Sequence, residues 1–321
     1  MISILIPTYN TAGYIERCLT SASSQDYPDY EIVVVDDGST DGTVKKVEAL
    51  AVKDSRIRLF PEAHGGAAAA RNRLLGLARG EYVFFLDSDD WISPDALSLC
   101  ADAITAGHVV RSARLDWTPG AVSRVYSADE YLAAIIPDRL KSYIAGTLFR
   151  REDFRDPFPD GTLIEDYAYY PALAERMAPV AVIASKAYHY TVNRPGSTTA
   201  RTAIKPAGVQ ARLVCAERRF DEYCARFPYP CRLLLGEIAD YAVTAAMSRD
   251  AGAREDGLSV LRRKKDAIAE NPTVPAFRKL EARALLRVPQ SAVAFRAVHA
   301  VKRGVIGVRK ADRRLGGKEE A

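Results

Sequence analysis

Several features that mark large classes of proteins are missing from this chain of 321 residues. It has no run of about 18 apolar residues, so we expect no membrane-spanning helix. No basic region followed by a longer apolar stretch opens the chain, so we expect no signal peptide and a cytoplasmic location. The five cysteines are odd in number and show no Cys-x-x-Cys spacing, which favours free thiols over zinc sites or disulfides.

Two common nucleotide-binding signatures are also absent. No Gly-x-Gly-x-x-Gly follows the first predicted strand, which argues against a dinucleotide-binding dehydrogenase. No Gly-x-x-x-x-Gly-Lys-[Ser/Thr] occurs, which argues against a P-loop enzyme. The composition, with 48% hydrophobic and 27% charged residues, is typical of a folded globular protein.

The net charge of +4 is unevenly distributed. Residues 276–321 contain 12 Lys and Arg against 4 Asp and Glu, whereas residues 1–275 contain 33 against 37. A basic tail on an acidic body suggests contact with an anionic membrane or a lipid-linked phosphate, and a solvated helical face is the alternative. We do not expect nucleic-acid binding, because Phe277 and Phe295 are the only aromatic residues of the tail available for base stacking.

Strand and helix patterns alternate in the first third of the chain. The predicted elements, strands and helices in alternation, are 2–6, 14–24, 31–35, 43–51, 57–60, 67–78 and 82–86. Strands that are apolar throughout indicate a mostly parallel sheet covered by helices on both faces. Past residue 205, Ala- and Arg-rich helical patterns run to the end, broken near prolines. We therefore predict an α/β domain at 1–203 and a helical, basic region at 204–321.

The fourth predicted strand runs directly into a cluster of carboxylates, in the sequence Leu86-Asp87-Ser88-Asp89-Asp90. Buried strands seldom end in like charges, because neighbouring carboxylates repel each other and lose hydration. A divalent cation would explain the cluster, since Mg²⁺ and Mn²⁺ bind one or two carboxylates together with substrate phosphates. In open α/β sheets, ligands bind at this end of the strands.

Two other strands end in polar motifs that would meet this cluster at the same edge of a parallel sheet. These motifs are Pro7-Thr8-Tyr9-Asn10 and Asp36-Asp37-Gly38-Ser39. A tyrosine ring, carboxylates that accept an N–H and a metal site can together hold a nucleoside diphosphate. Arg71, which follows the His64-Gly65-Gly66 segment, could reach a phosphate.

Four motifs, taken in order, resemble those of the family 2 glycosyltransferases, which are inverting enzymes with the nucleotide-sugar-binding GT-A fold. They are Pro7-Thr8-Tyr9-Asn10, Val35-Asp36-Asp37-Gly38-Ser39, Gly65-Gly66 through Ala70-Arg71-Asn72, and Leu86-Asp87-Ser88-Asp89-Asp90. The resemblance covers residues 1–200 and is specific, because all four motifs occur at appropriate intervals. It implies an α/β GT-A fold with a helical C-terminal extension.

The resemblance also implies a role for each motif. Tyr9 and Asp37 would hold the nucleobase, and Asp36 or Asp87 the ribose region. Asp89 would bind the metal, with Asp87 as a second ligand, and the metal would be Mn²⁺ or Mg²⁺. The residues expected to bind the donor are Pro7, Thr8, Tyr9, Asp36, Asp37, Arg71, Asp87, Ser88, Arg194 and Ser197.

An inverting enzyme needs a base that takes the proton from the acceptor hydroxyl. Ile164-Glu165-Asp166-Tyr167 matches the family's Glu-Asp signature, which makes Asp166 the expected catalytic base. Ordinary capping of the following helix is the alternative explanation of this acidic pair.

A further segment resembles a family loop that closes over the diphosphate. In it, Arg194 could neutralise charge on the departing nucleotide and Ser197 could donate to a phosphate oxygen. His189 lies beside this loop, which makes it a weak candidate for a metal ligand.

The resemblance carries a prediction about the product as well. Processive members carry Gln-x-x-Arg-Trp beyond the base, whereas the two tryptophans here, Trp91 and Trp117, both precede Asp166. We therefore expect transfer of a single sugar, from a nucleotide-sugar donor such as a UDP-sugar to a glycan or lipid-linked acceptor in cell-surface polysaccharide synthesis. A non-catalytic scaffold subunit and a sugar nucleotidyltransferase remain as alternatives.

Overall fold

The computed structural model of the chain describes residues 1–106, 110–118, 120–137, 140, 143–159, 165–192 and 206–287. By its contacts the chain divides into two units, residues 1–195 and residues 196–321. The predicted boundary between residues 203 and 204 lies outside the described residues, and so does the basic segment beyond residue 287.

The described part of the first unit contains ten strands. They are β1 (Ile2–Thr8), β2 (Tyr30–Asp37), β3 (Ile57–Glu62), β4 (Tyr82–Phe85), β5 (Trp91–Ile92), β6 (Ser112–Asp116), β7 (Arg124–Tyr126), β8 (Thr147–Arg150), β9 (Val180–Ala184) and β10 (Tyr188–His189). Eight of them form one sheet in the order β3-β2-β1-β4-β8-β6-β9-β7, while β5 and β10 pair separately. The four strands predicted for the first third of the chain are confirmed.

The pairing directions decide which strand ends meet. β3, β2, β1 and β4 are parallel neighbours, whereas β8 lies antiparallel between β4 and β6. Because β8 is antiparallel to both of its neighbours, β6 runs in the same direction as β4. The carboxyl ends of β1, β2, β4 and β6 therefore share one edge of the sheet with the amino end of β8. Within the eight-stranded sheet, four of the seven described strand pairs are parallel, so this sheet is mostly parallel, as predicted.

Helices cover this sheet. In the first unit they are α1 (Ile15–Ser23), α2 (Thr43–Ala51), α3 (Ala67–Leu77), α4 (Ala96–Thr105), α5 (Ala128–Ile135) and α6 (Glu165–Met177). The apolar residues at helical spacing in α1, from Ile15 to Ala22, are buried in the core together with Ile4 and Phe84 of the sheet. Burial of these side chains, worth about 1.5–3 kcal/mol for each large one, holds α1 on the sheet.

The second unit is helical. Its described helices are α7 (Pro206–Tyr223), α8 (Pro228–Ala246), α9 (Ala251–Glu270) and α10 (Ala276–Arg287). Prolines mark the starts of α8 and α10 as predicted, but the break before α9 carries none. There Asp250 caps the helix, since its Oδ1 accepts the Ala253 N–H at 2.8 Å. Within the described residues, no helix combines the length and the hydrophobicity needed to cross a membrane.

A glycine lets α8 and α9 approach closely. A Cβ atom at Gly257 would clash with the backbone nitrogen of Ala246 and lie 2.6 Å from the carbonyl oxygen of Ala242. We expect Gly257→Ala to lower the free energy of unfolding of this unit by about 1–3 kcal/mol, despite the better helix propensity of alanine. Urea unfolding followed by circular dichroism measures the effect.

Gly236→Ala is the matched control for this prediction. Gly236 lies within α8, and the nearest atom to its added Cβ would be Thr273 O at 3.9 Å. We expect this variant to be as stable as the parent or slightly more stable. Equal free energies of unfolding for the two variants would show that the helices can move apart at Gly257 without loss of stability.

Candidate active site

The strand register brings three predicted motifs to one edge of the sheet. Thr8 lies beside Asp36 of β2, and Leu5 lies beside Phe85 of β4. The residues that follow each strand therefore emerge next to one another. Tyr9 directly follows β1, Asp36 and Asp37 are the last residues of β2, and β4 is followed by the carboxylate cluster.

Asp90 anchors the carboxylate cluster to the core. Its side chain is fully buried and accepts hydrogen bonds from the Tyr188 hydroxyl at 2.6 Å and the Thr191 N–H at 2.7 Å. Burial, together with the charge of Asp87, raises the pKa of Asp90 to about 8. Asp90 therefore holds the loop against the core, whereas Asp87 and Asp89 are partly exposed.

Asp87 and Asp89 are both partly exposed at the start of this loop. One terminal nitrogen of Arg71 lies 3.4 Å from Asp87 Oδ1, and the carbonyl oxygen of Asp89 accepts from Arg17 at 3.0 Å. The backbone around Asp89 is thus fixed by Arg17 and by the hydroxyl of Thr191, which also donates to that carbonyl.

This donor set fits a divalent cation. Across the described residues, no three His, Cys, Asp or Glu side chains come together as a metal site. Two carboxylates suffice, however, because Mg²⁺ and similar ions complete their coordination with phosphate oxygens and water. Burial is the main cause of the raised pKa of Asp90, and the negative charge of Asp87, which a bound cation would offset, adds to it.

The nucleobase end of the site is built around an aromatic pair. Tyr9 is 41% exposed, and its ring stacks on His64 with centroids 4.4 Å apart. Asp37 is buried, accepts the Gly65 N–H at 2.6 Å and the Gly66 N–H at 2.9 Å, and pairs with His64 Nδ1 at 2.8 Å. Both oxygen atoms of Asp37 are thus already hydrogen-bonded within the protein, so the carboxylate organises the turn that precedes α3.

Asp36, unlike Asp37, has one carboxylate oxygen available to accept a hydrogen bond from a ligand. Its Oδ2 accepts the Ser39 N–H at 2.8 Å, while its buried Oδ1 has no hydrogen-bond partner in the part of the chain that the structure describes. The other predicted residues of this region are Pro7 in β1, Thr8, whose hydroxyl contacts that of Thr11 at 2.6 Å, and Ser88, which is buried in the carboxylate loop.

A cleft connects the carboxylate cluster with the predicted base. Its charged lining consists of Arg71, Asp87 and Asp166, the last from the first turn of α6. Asp166 Oδ1 accepts the N–H of Tyr167 at 2.7 Å. The structure therefore brings together three residues that are far apart in the sequence.

Apart from Ala145, aromatic residues form the rest of this lining, and the sequence did not point to them. They are Trp117, Tyr143, Tyr188 and Tyr190. Trp117 follows β6 and Tyr143 precedes β8, so they meet only because β8 is inserted between β4 and β6. No spacing pattern in the sequence shows that insertion.

The remaining predictions fall differently. Arg194 and Ser197 lie outside the described residues, so their contact with a diphosphate stays a prediction. His189 stacks on Trp91 with centroids 3.4 Å apart, and its Nε2 lies 2.9 Å from Ser93 Oγ. Burial lowers the pKa of His189. Its ring packs against β5 and forms no metal-binding group with the described carboxylates.

Comparison with known proteins matches this arrangement to one family. The sequence profile described as "Glycosyl transferase family 2" matches residues 3–170, which is more than half of the chain. The chain belongs to glycosyl transferase family 2. Its motifs in β1, β2, α3 and the loop after β4 all lie within the matched region, and so does Asp166.

One curated relative of this family 2 chain is the chondroitin synthase of Escherichia coli. The two are 31% identical over 185 residues, which cover 54% of this chain and 26% of that protein. The chain spans less than half the length of each of the first curated relatives that it matches.

Two solved structures share the fold. TarS 1-349 from S. aureus, in complex with UDP-GlcNAc, has a TM-score of 0.65 and 20% identity, covering 94% of this chain and 92% of that one. The mannosyltransferase PcManGT from Pyrobaculum calidifontis, in complex with GDP-Man and Mn²⁺, has a TM-score of 0.55 and 22% identity, covering 92% and 86%. At these identities the similarity shows the fold, and the GT-A fold expected from the motifs is confirmed.

Proposed function

We propose that this family 2 chain is an inverting glycosyltransferase. It moves a single sugar from a UDP-sugar donor to a hydroxyl of a glycan or lipid-linked acceptor in cell-surface polysaccharide synthesis. The observation that carries the proposal is the cleft in which Asp166 shares a lining with Asp87 and Arg71. A base, a metal-binding carboxylate and a phosphate-binding cation are the groups that this transfer needs.

The donor would bind along the edge of the sheet. Tyr9 offers an exposed ring face for the nucleobase, and the uncommitted Oδ1 of Asp36 accepts from a base N–H or a ribose hydroxyl. Asp87 and Asp89 would hold Mn²⁺ or Mg²⁺, which supplies positive charge to the leaving diphosphate. Arg71 is only 8% exposed and lies at the floor of the cleft, so its charge is poorly screened by water there.

The acceptor would be activated on the other side of the cleft. Asp166 takes the proton of the acceptor hydroxyl while the oxygen of that hydroxyl attacks the anomeric carbon of the donor sugar. The bond from this carbon to the nucleotide breaks on the opposite face. Because one displacement occurs, the configuration at that carbon inverts.

The relatives support the substrate class. Chondroitin synthase is named for a polysaccharide product, and TarS and PcManGT are recorded with UDP-GlcNAc and with GDP-Man and Mn²⁺. A nucleotide-sugar donor and a divalent cation therefore recur among proteins of this fold. Membrane contact through the basic segment and a cytoplasmic location stay predictions from the sequence.

A thermal-shift titration tests this proposal. The protein is melted with UDP, GDP, CDP or dTDP, each with and without Mn²⁺, since a ligand that binds only the folded state raises the melting temperature. We expect one nucleotide, UDP, to raise it by several degrees and only when Mn²⁺ is present. The absence of a shift with all four nucleotides would favour a scaffold subunit that has kept the fold.

A further inference from the structure

Three aromatic rings form a continuous stack along one wall of the cleft. The rings of Trp117 and Tyr188 lie 4.5 Å apart at 20°, and those of Trp117 and Tyr143 lie 6.0 Å apart at 12°. The stack runs outward from the core, because Tyr188 is 2% exposed and Tyr143 is 41% exposed. Its outer part, Trp117 and Tyr143, is called the aromatic face below.

The stack is built into the fold. Gly146, between Tyr143 and β8, has a φ of +72°, and a Cβ there would lie 2.9 Å from Trp117 and 3.0 Å from Tyr188. A glycine is required at this position both by its backbone conformation and by the rings packed over it. The hydroxyl of Tyr188 is held by Asp90, so the inner ring cannot turn away from the stack.

The position of the aromatic face along the sheet separates it from the donor. The nucleobase residues follow β1 and β2, whereas Trp117 follows β6 and Tyr143 precedes β8. β4, with Asp87 at its end, lies between these two groups of strands. A donor that runs from β2 toward Asp87 therefore approaches the aromatic face only with its sugar end.

The chemistry of this wall suits a carbohydrate. A sugar ring presents one face of C–H groups, which packs on an aromatic ring, and a rim of hydroxyls, which needs acceptors. The cleft supplies both, since the aromatic face lies beside the carboxylates of Asp87 and Asp166. A purely aliphatic acceptor would leave the carboxylates without a donor.

We infer that the aromatic face, in which Trp117 backs the exposed ring of Tyr143, is the binding platform for the acceptor's terminal sugar ring. The inference rests on the proposed transferase function. It deepens that function because it makes the acceptor a glycan whose sugar ring stacks in the cleft, with its reactive hydroxyl turned toward Asp166.

Tryptophan fluorescence tests the platform directly. The chain has two tryptophans, so Trp91→Phe leaves Trp117 as the sole reporter while keeping a ring against His189. This protein, with UDP and Mn²⁺ present, is titrated with the methyl β-glycosides of glucose, galactose and N-acetylglucosamine. We expect a saturable change with at least one glycoside, and an apparent Kd about five- to tenfold weaker after Tyr143→Ala.

Matched variants separate stacking from folding. Tyr143→Phe keeps the ring and should bind as the parent does, and Tyr229→Ala removes a still more exposed tyrosine of the helical unit. Melting temperatures within about two degrees of the parent establish that each variant is folded. If no glycoside changes the fluorescence while UDP still raises the melting temperature, the platform is refuted and the transferase proposal stands.

A kinetic measurement separates the acceptor from the donor sugar. With the donor chosen by the thermal-shift series, Tyr143→Ala should raise the acceptor KM about fivefold or more and leave the donor KM within about twofold. A rise in the donor KM with an unchanged acceptor KM would assign the face to the donor sugar and overturn the inference. A glycoside-dependent fluorescence change in a protein that binds no nucleotide would support the carbohydrate site and contradict the proposed transferase function.

Discussion

Replacement of Asp89 by asparagine is expected to abolish sugar transfer and metal-dependent nucleotide binding together. The substitution removes one of two carboxylates that face the proposed cation, and a neutral amide oxygen binds Mg²⁺ or Mn²⁺ far more weakly than a carboxylate does. We expect activity to fall by about a thousandfold or more, because charge on the leaving diphosphate would lose its main stabilisation. The thermal shift with UDP should then be the same with and without Mn²⁺.

The loop around Asp89 should survive this substitution, which makes the result interpretable. Its backbone carbonyl is held by Arg17 and Thr191, and the next residue, Asp90, is buried against Tyr188. None of these contacts uses the side chain of Asp89. The melting temperature without ligand should therefore remain within about two degrees of the parent value.

Asp102→Asn is the control for Asp89→Asn. Asp102 is an exposed carboxylate of α4 in the same unit, and its loss should change neither the activity nor the Mn²⁺ dependence of the shift. A Mn²⁺-dependent shift that persists in Asp89→Asn would show that the cation is held elsewhere. The assignment of Asp89 as a metal ligand would then be wrong.

The parts of the fold that were predictable are those in which each strand carries its own signal. β1 and β2 are buried along almost their whole length and are mostly apolar, and polar residues mark their carboxyl ends. The parallel order of β3, β2, β1 and β4 follows from the intervening helices. The convergence of Tyr9, Asp36 and Asp87 was therefore accessible from the sequence.

The aromatic part of the cleft could not be predicted, because it depends on the direction and position of β8, which comes late in the chain. β8 has no motif, yet its position between β4 and β6 brings Tyr143 to Trp117 and opens the cleft to Asp166. The role of Asp90 was hidden for a related reason. Its neighbours in the sequence are carboxylates, whereas the hydroxyl that holds its side chain in the core belongs to Tyr188, nearly a hundred residues away.

Individual hydrogen bonds also lie beyond what a motif shows. Asp36 and Asp37 are adjacent and chemically identical, but only Asp37 is enclosed by the amides of Gly65 and Gly66. The difference arises because successive residues of a strand point to opposite faces. The motif identifies both carboxylates, but only the tertiary structure shows that Asp36 has an oxygen atom without a hydrogen-bond partner among the described residues.

Asp166→Asn should separate catalysis from binding, unlike Asp89→Asn. Asparagine keeps the size of the side chain and its capacity to accept the Tyr167 N–H, so the start of α6 should be retained. It cannot take a proton from the acceptor hydroxyl, and general-base catalysis typically contributes about 10²–10⁴ to a rate. We expect kcat to fall by that factor, while the Mn²⁺-dependent thermal shift with UDP stays within about one degree of the parent.

The decisive comparison is with Glu175→Gln, which neutralises an exposed carboxylate of the same helix. If loss of charge on α6 were enough to weaken activity through the field in the cleft, both variants would be affected. If Asp166 acts as the base, only its own substitution lowers kcat, because proton transfer requires an acceptor within hydrogen-bonding distance of the hydroxyl. Retention of more than about a tenth of the parent kcat in Asp166→Asn would contradict that role, since a base contributes at least about a hundredfold. The proton would then have to leave through another group of the cleft, of which Asp87 is the remaining carboxylate in its described lining.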